Sequence, residues 1–78
     1  MRRLDASPDR VDWFRVLVDL NRAGLPTSAV EQQLGIPRTT ILGWKQGAEP
    51  RYADGESLLD LWGRVLGRPR EGAPRQGR

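Results

Sequence analysis

"GIPRTTILGWKQG", residues 35–47, decides how this chain is read. It parses as a turn followed by a short helix. Gly35 and Ile36 make the turn, Pro37 opens the helix and Gly47 stops it. Wound at about 3.6 residues per turn, Pro37, Thr40, Ile41 and Trp44 fall on one side, and Arg38, Thr39, Leu42, Gly43 and Gln46 on the other. The first side is expected to pack against Val30, Leu34 and Ile36. The second is expected to face out. It offers a guanidinium, a hydroxyl, a branched alkyl group, a position without a side chain and an amide, which suit base edges and a thymine methyl. Lys45 lies at the edge, where a phosphate would be. Gly43 costs about 1 kcal/mol relative to Ala in mid-helix; its missing side chain lets the backbone approach whatever lies opposite.

The surrounding segments read as further helices. Ser7-Pro8-Asp9 has the marks of a helix start: a capping Ser, Pro in the first turn and an acid near the positive end. That helix is expected to run to Ala23, with Gly24 ending it and its apolar residues largely buried. Among those residues Trp13 and Phe14 read as core or interface. Asp12, Arg15, Asp19 and Arg22 form one narrow charged face, spaced for i,i+3 and i,i+4 pairs and read as solvated. Thr27 or Ser28 is expected to cap a second helix, with Ser28 and Glu31 at capping-box spacing. Residues 48–54 read as a loop, and Asp54 as the cap of a fourth helix over 55–66 that Gly67 stops. Its apolar residues cover an arc of roughly 160°, wider than the stripe of about 100° that one core requires. The excess, Leu59, Trp62 and Leu66, reads as a dimer interface, the alternative being a cover from the N-terminal segment at Leu4. The fold class is therefore all-α: a small bundle of four helices over 1–67, with a disordered Arg-rich tail over 68–78.

Composition narrows the chemistry. Seventy-eight residues make one domain. With no Cys and no His there is no disulfide, no thiolate or imidazole metal site, and most nucleophile and general-base chemistry is removed. No enzyme activity and no cofactor are expected. No apolar run approaches the roughly 18 residues of a membrane span, and a cytoplasmic protein is the expectation. The net charge of +3 has a location: residues 68–78 hold four Arg and one Glu, so residues 1–67 are neutral overall. A basic patch on the body must come from segregated charge. Twelve of the thirteen basic residues are Arg, which suits bidentate phosphate and base contacts but equally follows from a GC-rich genome.

On these residues Thr27 through Gly47 resembles the helix-turn-helix of the phage Cro and repressor class, the XRE-type family. The likeness rests on Leu34-Gly35-Ile36, then Arg38-Thr39-Thr40-Ile41, then Trp44 and Gly47. Three positions depart from the family pattern: Thr27 where Gln is usual, Glu31 where a small residue is usual, and Pro37 where a capping Ser or Thr is usual. Glu31 must therefore bend outward or serve the cap. The resemblance implies a helix-turn-helix DNA-binding domain that lays the helix 37–46 in the major groove. By that resemblance Arg38 takes a guanine or a phosphate, and Thr39 and Gln46 touch bases or backbone. Thr27, Lys45 and Arg51 meet phosphates, Tyr52 sits on the same loop, and Leu42 and Gly43 complete the face. The alternative for Arg38 is a surface pair with Glu31 or Glu49. The implied function is transcription regulation by a phage or prophage repressor or Cro-like protein, a homodimer on double-stranded DNA with a palindromic operator. No small-molecule ligand and no membrane are implied. The rival reading is a protein-binding module on the same fold, such as a phage inhibitor of a host protein or an antitoxin-like partner.

Overall fold

A computed structural model of the chain describes residues 10–76. The proposed helix start at Ser7-Pro8-Asp9, Leu4 and the basic ends at Arg2, Arg3 and Arg78 lie outside the described residues. Four α-helices carry the fold: α1 (Trp13–Arg22), α2 (Thr27–Leu34), α3 (Arg38–Lys45) and α4 (Tyr52–Leu66). A 3-10 turn follows at Arg70–Gly72. There is no strand among the described residues, only an isolated antiparallel bridge between Val11 and Arg75.

Asp12 starts α1. It is the N-cap, and its side chain accepts the Arg15 backbone N–H at 3.1 Å, so it leaves the charged face on which its spacing had placed it. Asp19 leaves that face too. Its Oδ2 accepts the indole Nε1–H of Trp62 at 3.1 Å, and it makes no ion pair with Arg15 or Arg22. Of the apolar residues expected inside, Val16, Leu17 and Leu20 are buried, but Phe14 is 54% exposed. The buried stripe of α1 is thus narrower than its hydrophobicity suggested.

The expected capping box on α2 does not form. Pro26 is the N-cap residue and no side chain caps it; Glu31 bends outward to Arg38 instead, its Oε2 3.9 Å from the Arg38 Nε. Gly35 ends α2 in the left-handed conformation at φ +66°, where a Cβ would be strained. Ile36 then turns inward and is buried, and Pro37 stands at the N-cap of α3. Ile41 and Trp44 are buried with Val30, while Leu34 packs at the edge of the core. Pro37 and Thr40, expected on this inner side, are exposed. At this length only one wall of α3 is needed to close the core.

The fourth helix begins earlier than expected. Arg51 is its N-cap, so Tyr52 and Ala53 are helical and Asp54 falls in the first turn, where a carboxylate favours the positive end of the helix dipole. Gly55 is buried because Trp13 crosses it: a Cβ there would stand 3.1 Å from the ring. Leu58, Leu59, Leu61 and Trp62 are all buried, and Leu66 packs against the same core. The wide apolar arc of α4 is therefore filled within one chain, and the expected dimer interface at Leu59, Trp62 and Leu66 is not an open surface.

What fills it is the segment expected to be a disordered tail. Residues 68–76 wrap back across α4 to α1. Arg70 donates to Glu56 at 2.5 Å and to Asp60 at 2.9 Å. The bond to Glu56 raises the pKa of that guanidinium, against the lowering effect of its burial. Ala73 is buried, and a Cβ on Gly72 would meet the Trp62 ring at 3.9 Å. Asp12 N–H donates to Pro74 O at 2.9 Å, and Gln76 N–H to Arg10 O at 2.8 Å. One Ala, one clamped Arg and two backbone hydrogen bonds to the start of α1 hold a segment whose composition alone argues for disorder.

Candidate nucleic-acid interface

The outer face of α3 is built by exclusion. Ile41 and Trp44 tie one wall of the helix to the core, and the opposite wall presents Thr39, Leu42 and Gln46 to solvent. Leu42 is 39% exposed, a large apolar group among polar neighbours. Arg38, the first residue of α3, stands at the edge of that wall with its side chain 64% exposed. Its pair with Glu31 is long and solvated. Such pairs contribute about 0–1 kcal/mol, so the guanidinium can leave Glu31 at little cost. The other candidate partner, Glu49, is taken by Arg10.

Lys45 and Thr27 are brought together. The Lys45 Nζ donates to Thr27 Oγ1 at 2.9 Å, joining the last residue of α3 to the first residue of α2. Both side chains are half-buried. Neither sequence position predicts this contact, because it depends on the crossing of α2 and α3. Arg51 and Tyr52 stand apart from this group. They line a cleft of about 380 Å³ beside Trp13 and Pro50, and Tyr52 is 83% exposed. Lys45 and Gln46 line another cleft, of about 220 Å³, with Phe14 on its wall. Trp13 and Glu49 border both. Phe14 is thus a surface feature next to the candidate face that spacing alone had assigned to the core or to an interface, whereas Trp13 packs against the core.

Gly43 is not open to the outside as expected. The chain after α3 folds back over it: Ala48 N–H donates to Gly43 O at 2.9 Å, and a Cβ on Gly43 would lie 3.8 Å from the Ala48 Cβ. That is ordinary van der Waals contact, and the Gly43 φ is not positive. Gly43→Ala is therefore expected to stabilise the fold by about 0.5–1 kcal/mol, the helix-propensity gain. This corresponds to a rise of roughly 2–8 °C in Tm for a domain of this size, checked by thermal denaturation. An unchanged or lower Tm would mean that Ala48 cannot accept the methyl group.

The site holds hydrogen-bonding groups and charged side chains. No cluster of three Asp or Glu that could hold a metal ion exists among the described residues, and no helix there is long and apolar enough to cross a membrane. No protein-family model matches the chain, and neither the curated proteins nor the solved structures give a match.

Proposed function

We propose that this chain is a sequence-specific DNA-binding transcriptional regulator, a repressor or Cro-like protein of phage or prophage type, acting as a homodimer on a palindromic operator. The observation that carries the reading is the outer wall of α3, where Thr39, Leu42 and Gln46 are exposed beside Arg38 while Ile41 and Trp44 anchor the opposite wall. In this reading α2, the Gly35-Ile36-Pro37 turn and α3 form a helix-turn-helix, with α3 in the major groove. Arg38 reads a guanine edge, Leu42 meets a thymine methyl, and Thr39 and Gln46 supply hydrogen bonds. Lys45 and Thr27, already hydrogen-bonded to each other, meet a phosphate together. With Leu42 on the DNA, the exposed large apolar groups left for a second copy among the described residues are Phe14 and Tyr52, because α4 is covered by its own chain.

The test is selection from random duplexes at physiological salt, with wild type and Arg38→Ala in parallel. Wild type is expected to enrich a palindrome with half-sites about 10 base pairs apart. Arg38→Ala is expected to relax one position of each half-site by about 1–3 kcal/mol, or roughly 5- to 150-fold. An absence of enrichment would overturn the DNA reading, and identical motifs would overturn the role of Arg38. A second reading, a module that binds a host or antitoxin-like partner protein, is favoured by the exposure of Phe14, Leu42 and Tyr52. It predicts binding that changes little with salt, whereas contact with several phosphates weakens steeply.

A further inference from the structure

The diversion of Asp19 has a consequence on the far side of α1. Arg15 and Arg22 are spaced to pair with Asp19, but that carboxylate accepts the Trp62 indole instead. The guanidinium groups of Arg15, Arg22 and Arg68 make no hydrogen bond or ion pair among the described residues. All three are exposed. Arg22 and Arg68 border two adjoining clefts of about 240 and 280 Å³ that also share Asp19, and Arg15 lines the second of them. The tail forms one wall, through Gly72 and Pro74, and the indole of Trp62 lies at the base. The contrast within the tail is sharp. Arg70 is clamped by two carboxylates, and Arg68, two residues earlier, has none. No residue of α2 or α3 borders either cleft.

We propose that this cleft binds the phosphate backbone of DNA at a face separate from α3. Arg15 and Arg22 stand seven residues apart on α1, about 10.5 Å along the axis, with Arg68 across the gap. A single carboxylate or phosphate reaches one of these groups. A nucleic-acid backbone, with one charge per about 1.7 Å of duplex axis, reaches all three at once. Arg presents a planar fork that matches phosphate oxygens two at a time. An acidic protein segment fits less well, since the fold itself satisfies two carboxylates with one guanidinium at Arg70. The cleft adds affinity without sequence preference, and it does not depend on what α3 reads.

The experiment measures binding of a random-sequence duplex by fluorescence anisotropy from about 50 to 200 mM salt, on the full chain carrying Arg38→Ala. Adding Arg15→Gln, Arg22→Gln and Arg68→Gln is expected to flatten the slope of log K against log salt by about 2–3, at about 0.9 per phosphate contact. The advantage of the unaltered cleft therefore shrinks by about 40-fold across that range. Arg68→Gln alone is expected to remove about 0.9 of the slope; the triple Arg→Lys variant is expected to keep it. Circular dichroism checks that each variant is folded. Unchanged slope and affinity in the triple Gln variant, or in Arg68→Gln alone, overturn the proposal. So does a Glu-rich peptide whose binding is lost in the triple Gln variant while duplex binding is kept, which assigns the cleft to an acidic protein. Sequence selection by wild type reports on α3 alone, so each reading can fail without the other.

Discussion

Trp62→Ala is expected to cost about 3–5 kcal/mol, the range for deleting a buried aromatic side chain, and so to lower the Tm by roughly 12–40 °C. The indole is among the largest fully buried side chains in the molecule. It joins three parts of the fold: its own helix α4, α1 through the bond to Asp19, and the returning tail at Gly72. A domain of this size has a margin of only about 5–10 kcal/mol, so the cavity alone removes much of it. Trp62→Phe keeps most of the packing, loses one hydrogen bond and is expected to cost far less, about 1–2 kcal/mol. Thermal and urea denaturation followed by circular dichroism check both. If Trp62→Ala instead gives a well-folded monomer with an unchanged Tm, Trp62 is a surface residue and the intramolecular cover over α4 is wrong.

Gly63→Ala is expected to release the tail. In an open helix the substitution would stabilise by about 1 kcal/mol. Here the new Cβ would stand 2.8 Å from the backbone carbonyl of Arg68, which cannot rotate aside as a side chain does. The chain turns tightly at this point. Gly67 and Arg68 both donate their N–H groups to Gly63 O, and Gly67 sits at φ +66°. Overpacking of this kind costs about 1–3 kcal/mol, more than the propensity gain, so the net sign is destabilising. The loss is local: the Asp12 amide, bonded to Pro74 O, and the Gln76 amide, bonded to Arg10 O, are expected to exchange with solvent faster, while the amides of α3 keep their protection. Hydrogen exchange measured residue by residue decides this. Equal protection at Asp12 in both proteins would show that the tail does not depend on the turn at Gly63.

Both substitutions act on the cover over α4. The apolar arc of α4 is wide enough for two neighbours, and the structure supplies the second from the same chain. A dimer in the proposed mode is therefore expected to use other groups; among the described residues the exposed large apolar ones are Phe14, Tyr52 and Leu42, the last of which the proposed mode gives to DNA. The tail that closes the arc also brings Arg68 opposite Arg15 and Arg22. A single folding event thus removes one expected contact surface and creates another.

Much of the fold was legible in the residues because it follows from local rules. Gly35 and Gly67 stop helices in the left-handed conformation, Pro37 opens α3, and the spacing of Ile41 and Trp44 sets the buried wall of that helix. Periodicity and backbone stereochemistry are properties of neighbours in sequence. The outer wall of α3, with Arg38, Thr39, Leu42 and Gln46, was legible for the same reason. What periodicity could not supply was the destination of groups with more than one suitable partner. Asp12 could pair along a helix face or cap it. Asp19 could meet an Arg one turn away or an indole 43 residues away. Glu31 could cap α2 or reach Arg38, and Lys45 could face solvent or Thr27. The tail, poor in apolar groups, gave no local signal of order. Only the crossing of α1 and α4 makes a groove into which Ala73 fits and brings Glu56 and Asp60 within reach of Arg70. The stops at Gly35 and Gly67 and the buried wall of α3 at Ile41 and Trp44 could be read from neighbouring residues, because they depend on backbone conformation and spacing. Which charges are satisfied and which surfaces stay open followed from the packing of the helices and the returning tail, because those depend on distances between segments far apart in the chain.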